Sequence, residues 1–303
     1  MESSKSKDLV PEKVIGSKSK RKEMLLSTQN TIIYNLGIGF STDQLKKEDF
    51  KFTYELSEEF TILPTYSVVV PIIETAPILS ENPYIPEFNF MTLLHGEQWL
   101  ECIKPLKPNT TVFTESEITD LEDKGKGTIF CIETKIYNED NSLATISRAI
   151  VFVRGIKGSK YKSTGILSKI SVPSKLPDSQ PTKTLTYKTS PNQALLYRLG
   201  GNDPNPLHVD PDMAAMGGFE KPILHGLCSY GIAAKLAFDE FCKDNIENFV
   251  SFNSRFTSHV FPGETLEFNY WSVGNGRIIV NGTTKERGKQ ILIGEIIVKS
   301  PKF

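Results

Sequence analysis

The sequence predicts an α+β protein built from two similar halves, each based on an antiparallel sheet, with one long buried helix in the second half. Three observations carry this expectation. Consecutive runs with strand character recur in both halves, separated by turn clusters. The run Leu227–Phe238 holds few charges and has apolar residues on most faces, as a buried helix does. The halves also echo each other. Pro108-Asn109-Thr110-Thr111-Val112 corresponds loosely to Pro262-Gly263-Glu264-Thr265-Leu266, each ahead of two long strands, and both halves end in an apolar strand.

Residues 1–23 are rich in Lys and Ser with few apolar side chains. Such a segment cannot bury enough surface to offset the entropy of ordering, so a disordered polar tail is expected. From Thr28 the spacing of Ile32, Ile33 and Leu36 predicts a short amphipathic helix ending at Gly37. Ser57–Ile73 reads as β-rich, with Val68-Val69-Val70 halted by Pro71, and Ala76–Phe90 as a proline-broken loop. Strands follow at Leu94–Ile103, Thr111–Leu121, Thr128–Tyr137 and Ala144–Arg154, completing a first unit over 24–155. The Lys-, Ser-, Thr- and Pro-rich stretch 156–188 reads as a linker. The second unit, 189–303, opens at Ser190-Pro191, a helix cap followed by proline in the first turn. It passes through a proline-rich loop and the long helix to about Phe241. Strands near Phe249–Ser258, Thr265–Val273, Arg277–Lys285 and Gln290–Lys299 close the chain, with hairpin breaks at Gly274-Asn275-Gly276 and Arg287-Gly288.

Composition narrows the function classes. Over 303 residues, 23% are charged and the formal net charge is −1, so nothing points to nucleic acid or an anionic membrane as the main partner. Pro222–Ala234, the longest charge-free stretch near the helix, is too short to span a bilayer, and a soluble protein is expected. Cys102, Cys131, Cys228 and Cys242 form no CxxC pair, which suggests a reducing compartment without disulfides. The four histidines lie far apart with no HxxxH pattern, so no metal site is expected. Gly37-Ile38-Gly39 lacks the third glycine of a dinucleotide fingerprint, which argues against a dehydrogenase.

The chemistry concentrates between Leu199 and Gly226. Pro204 and Pro206 forbid a helix there and stiffen a loop bearing Asp203, Asn205 and His208, an arrangement suited to acid and base work. Gly226 stands near the first turn of the long helix, where unpaired backbone N–H groups favour developing negative charge. A plainer reading of the same residues has Asp203 starting an Asx turn and His208 satisfying a buried carbonyl.

Asp203-Pro204-Asn205-Pro206-Leu207-His208 with Pro222-Ile223-Leu224-His225-Gly226-Leu227-Cys228 resembles the signature of the MaoC-like R-specific enoyl-CoA hydratases, the hydratase 2 type of peroxisomal multifunctional enzymes. The resemblance runs from about Ser27 to Lys299 and includes Ser190–Leu199, Leu94–Leu100 and Asp123–Gly125. It implies a double hot-dog fold, two helix-wrapped sheets joined edge to edge, with the first-half helix degraded and an apolar groove left for a long acyl chain. It implies hydration of (2E)-enoyl-CoA to (3R)-3-hydroxyacyl-CoA in fatty-acid β-oxidation. Asp203 and His208 would hold the water, Asn205 would orient it or the carboxylate, and the Gly226 N–H would face the thioester oxygen. His95, Gly96, Lys124, Pro204, Pro206, Leu207 and Phe256 would hold the acyl-CoA, and His225 would be structural. The loop before Asp203 is one residue longer than the family pattern. Counted from Leu199, Asn202 takes the acid's place, but an amide cannot act as the base, so Asp203 is assigned. No cofactor is implied. A homodimer and a peroxisomal location are, although Ser300-Pro301-Lys302-Phe303 is not a close Ser-Lys-Leu match and a cytosolic location stands as the alternative. A thioesterase or a non-catalytic acyl-CoA binder on the same fold are the competing functions.

Overall fold

The computed structural model describes residues 6–168, 172–173 and 175–299. Strands β1 (Lys22–Leu25), β2 (Leu93–Cys102), β3 (Thr111–Asp123), β4 (Gly127–Asn138), β5 (Leu143–Arg154), β6 (Lys183–Lys188), β7 (Phe249–Phe256), β8 (Thr265–Ser272), β9 (Arg277–Thr284) and β10 (Gln290–Val298) form one antiparallel sheet. The helices are α1 (Pro11–Val14), α2 (Thr28–Gly37), α3 (Phe50–Thr53), α4 (Ile72–Ser80), α5 (Gln193–Gly200), α6 (Pro211–Met216) and α7 (Gly226–Phe241). No described helix is long and apolar enough to cross a membrane.

The strand order β1-β3-β4-β5-β2-β7-β10-β9-β8-β6 shows the duplication directly. Each half is a three-strand meander, β3–β5 or β8–β10, with its first strand (β1 or β6) on the outer edge and its second (β2 or β7) carried to the middle, and the halves meet where β2 pairs with β7 from Glu97↔Arg255 to Glu101↔Ser251. At one end of that seam the Arg255 guanidinium donates to Glu97 Oε1 at 2.7 Å. Alternate residues of β3 are buried along most of its length, as period-two patterning over a one-sided core requires.

Helix α7 is buried on nearly every turn and packs against β7 and β10. Buried hydroxyls along it find partners: the Tyr230 hydroxyl of α7 donates to Phe252 O, and the Tyr270 hydroxyl of β8 donates to Ala233 O of α7, each at 2.8 Å. Buried polar groups are tolerated on these terms only. Helices α2 and α5 cross so closely that a Cβ on Gly200 would sit 2.2 Å from the Tyr34 backbone nitrogen. Gly200→Ala should therefore destabilise the fold by about 2–3 kcal/mol, read as a lower denaturation midpoint, because the obstruction is main chain and cannot swing away. An unchanged midpoint would contradict this close approach.

In the first half α4 takes the place of a long central helix. It carries Pro77 inside its nine residues and is tied to the sheet by Glu74, only 2% exposed, which accepts from Thr114 Oγ1 at 2.8 Å and Ser116 Oγ at 3.0 Å. The expected proline-broken loop over Ala76–Phe90 thus begins as helix, and the expected β-rich Ser57–Ile73 is a 3-10 turn over Pro64–Val68 running toward α4. Val68, Val69 and Val70 are all buried. An apolar run enclosed on every side has no alternation to reveal its period, so strand and helix read alike.

The amino-terminal segment also departs from expectation. Within the described part of 1–23, α1 and the start of β1 are ordered; Leu9 and Val14 are buried with Leu79, Ile85, Phe130 and Val151, and β1 pairs with β3. A few apolar anchors plus edge pairing suffice where composition alone predicts a tail. The expected linker 156–188 contributes β6, paired with β8 along its length, while Asp123 Oδ2 accepts from the backbone nitrogens of Gly158 and Lys160, each at 2.9 Å. Helix α5 starts at Gln193, after Ser190-Pro191, with no side-chain cap.

Candidate active site

The site lies at the amino end of α7. A cavity of about 790 Å³ opens there, with Asp203, His208, His225 and Gly226 in its wall. Asp203 reaches it because the chain leaving α5 turns sharply: Asn202 adopts φ 51°, a left-handed conformation that asparagine tolerates, and Asp203 N donates to Arg198 O at 3.2 Å. The additional residue is absorbed in that turn. Asp203 lines the cavity and Asn202 does not.

One carboxylate oxygen of Asp203 accepts from Asn205 N at 2.9 Å, closing an Asx turn. The other, Oδ2, lies 3.9 Å from His225 Nε2. His208 Nδ1 bonds Ile223 O at 2.8 Å; a carbonyl only accepts, so Nδ1 carries the proton and Nε2 is left as an acceptor. The plainer reading of these two residues is what the local bonds show, and it is compatible with the functional one, since those bonds leave Asp203 Oδ2 and His208 Nε2 unengaged among the described residues. Asn205 Oδ1 accepts from Leu207 N at 3.0 Å. Asn205 thus orients the Asp203 carboxylate through its backbone N–H, while its side-chain oxygen holds the turn.

His225, expected to be structural, stands in the wall. Its ring stacks on that of His208 with centroids 3.7 Å apart at 25°. Burial lowers the basicity of both rings; the nearby Asp203 charge partly opposes this at His208, and the charges of His208 and Arg198 reinforce it at His225. Asp203, His208 and His225 each offer an atom within 4.8 Å of the others, so these are the residues that could hold a metal ion.

Gly226 begins α7, and its N–H donates to no protein group among the described residues. The Phe256 ring lies 3.4 Å from where a Gly226 Cβ would be, and His95 meets the Phe256 ring edge-on at 5.4 Å. His95 Nε2 contacts Glu97 O at 3.1 Å, and burial pushes its pKa down to about 4, so it is neutral. Gly96 sits where the β2–β5 register shifts, between His95 and Glu97. Pro204, Pro206 and Leu207 line the cavity.

Lys124 does not line it; it stands in the β3–β4 turn, 2.8 Å from Glu122. Sequence reasoning missed the apolar wall from Val69, Ile72, Ile73 and Ala76, and also Phe90 and Met91. Only the proline content of that region hinted that a full helix was missing.

Comparison with known proteins identifies the family. Residues 25–155 match the MFE-2 hydratase 2 N-terminal domain and residues 172–293 the MaoC like domain. The chain is 38% identical to the "Probable enoyl-CoA hydratase 2" of Dictyostelium discoideum, covering 95% of this chain and 96% of that protein. It is 36% identical to "Enoyl-CoA hydratase 2, peroxisomal" of Arabidopsis thaliana, covering 89% of each. Among solved structures, a MaoC-like dehydratase from Phytophthora Capsici superposes with TM-score 0.85 at 33% identity, over 97% of this chain and 99% of that one. Rv0216 of Mycobacterium tuberculosis, described as a double hotdog fold, shares the fold alone at 12% identity and TM-score 0.57, over 94% and 96% of the two chains. With its two halves matched in order by the two family domains and its whole length by these relatives, the chain belongs to the enoyl-CoA hydratase 2 family of MaoC-like double hot-dog enzymes.

Proposed function

We propose that this protein is a trans-2-enoyl-CoA hydratase 2 that converts (2E)-enoyl-CoA reversibly to (3R)-3-hydroxyacyl-CoA in fatty-acid β-oxidation. The observation that carries the reading is the meeting, in one cavity, of the Asp203 carboxylate, the acceptor nitrogen of His208 and the unpaired Gly226 N–H. Hydration requires these parts. As the water oxygen bonds to C3, one of its O–H bonds breaks and the proton passes to Asp203. The π electrons shift toward C2 and the thioester oxygen, where the Gly226 N–H and the α7 dipole stabilise the enolate-like charge. The proton then passes from Asp203 to C2, restoring the carboxylate, while His208 keeps the water's other hydrogen in place.

The acyl chain runs along the apolar wall of Val69, Ile72 and Ile73, made accessible because α4 is short. The peroxisomal setting named for the Arabidopsis relative supports that location, and the homodimer rests on the family likeness. Residues 300–303, the weak targeting match, lie outside the described residues.

Purified protein mixed with trans-2-decenoyl-CoA should bleach the conjugated-thioester absorbance, and the product should be oxidised by an R-specific 3-hydroxyacyl-CoA dehydrogenase only. Oxidation by an S-specific enzyme alone would refute the stereochemistry. Release of free CoA would favour a thioesterase, and binding without turnover a non-catalytic carrier.

A further inference from the structure

Resting on the hydratase reading, we propose that His225 is a positioning residue for the reactive water, donating from Nε2 to the water oxygen while Asp203 and His208 accept its two hydrogens. His225 is 2% exposed, yet neither ring nitrogen has a hydrogen-bond partner among the described residues. A neutral imidazole always carries one N–H donor and one acceptor, and leaving such groups unpaired in the interior is costly. A buried, unpaired ring lining a polar corner of a cavity is therefore built for a small partner that comes and goes.

The separation on the acid side fits. His225 Nε2 and Asp203 Oδ2 are 3.9 Å apart, too far for a direct hydrogen bond and spanned readily by one water. His208 occupies the adjacent position, its ring stacked on His225. With its Nδ1–H committed to Ile223 O, His208 can only accept at Nε2, and the Asp203 carboxylate can only accept. Two acceptors take both hydrogens of a water and leave it free to rotate about the pair. A third contact that donates to one lone pair stops that rotation and leaves the other lone pair facing C3. Among the three side chains of the cluster, only His225 can supply such a donor.

The surroundings keep His225 a neutral donor. Tyr197 from α5 faces its ring at 5.0 Å, and the Arg198 cation, also from α5, opposes a second positive charge beside it. Asp203 approaches from the loop, and protonated His208 would repel a proton on His225.

The test compares His225→Gln, whose terminal amide can donate near the place of Nε2, with His225→Asn, whose shorter amide cannot reach it, and His225→Phe, which keeps the stacked ring without a donor. On trans-2-decenoyl-CoA, kcat should fall about 30- to 100-fold in His225→Phe and His225→Asn, the cost of a misaimed reactant. KM and the Kd for saturated decanoyl-CoA should move less than about threefold, and His225→Gln should keep kcat within about fivefold of wild type. Equal kcat in the Gln and Asn variants, or a change confined to KM, would overturn the proposal, and that comparison decides even if His225→Phe does not fold. Wild type and Asp203→Asn are run alongside. An inactive wild type would defeat the hydratase reading itself, whereas an active wild type, a dead Asp203→Asn and an unaffected His225→Asn would defeat this inference alone.

Discussion

Asp203→Asn should lower kcat for enoyl-CoA hydration by about 10³-fold, within the range general acid–base catalysis supplies. The substitution isolates charge from shape. Asn keeps a side-chain oxygen to accept from Asn205 N, so the Asx turn that aims the loop persists, and only the group that takes the water's proton is lost. His208→Gln should be milder, about 10²-fold, because His208 holds a hydrogen without taking it. Stopped assays on trans-2-decenoyl-CoA, with saturated decanoyl-CoA binding as control, read both. Asp203→Asn at wild-type rate would remove the acid from the mechanism. The pH profile carries the matching sign. His208 acts as a neutral acceptor, and burial places its titration below the ordinary 6.5. Activity should therefore hold level as pH falls through 6.5 and decline only below it, as the ring charges.

Gly226→Pro should remove about 10² to 10³ in kcat while leaving the fold nearly as stable as wild type, as loss of one oxyanion donor does elsewhere. Proline at the first helical position deletes an N–H that has no intrahelical partner in any case. His225, just before it, already has φ −59° and ψ 135°, the extended conformation that a following proline demands. The Phe256 ring is the nearest obstacle to the added ring. Thermal unfolding beside steady-state kinetics separates the outcomes. Unchanged kcat in a folded variant would mean that the thioester oxygen is stabilised elsewhere.

Much of this was legible in the chain. The meander strands were predicted to within a few residues because their alternation is local, as was α2, whose expected end at Gly37 is observed. The prolines at 204 and 206 announced the break after α5, although Pro206 starts a 3-10 turn that carries His208 where an open loop was expected, and the single low-charge run announced α7. Other features were hidden for identifiable reasons. Leu9 and Val14 are two apolar residues in a polar context, and only the cluster with Leu79 and Phe130 makes them anchors. The valines at 68–70 are enclosed on all sides, so their spacing says nothing about helix or strand.

By itself, the sequence determined which side chains could act and how each is aimed, because proline, an Asx turn and a helix start act over a few residues. The tertiary structure alone decided what they act with. It stacks His225 on His208, 17 residues away, and hides both nitrogens of His225. It also brings Val69 to Ala76 across to form the acyl wall. Those placements follow from which strands pair and where α4 stops, and chain-distant contacts of that kind leave no trace in local periodicity.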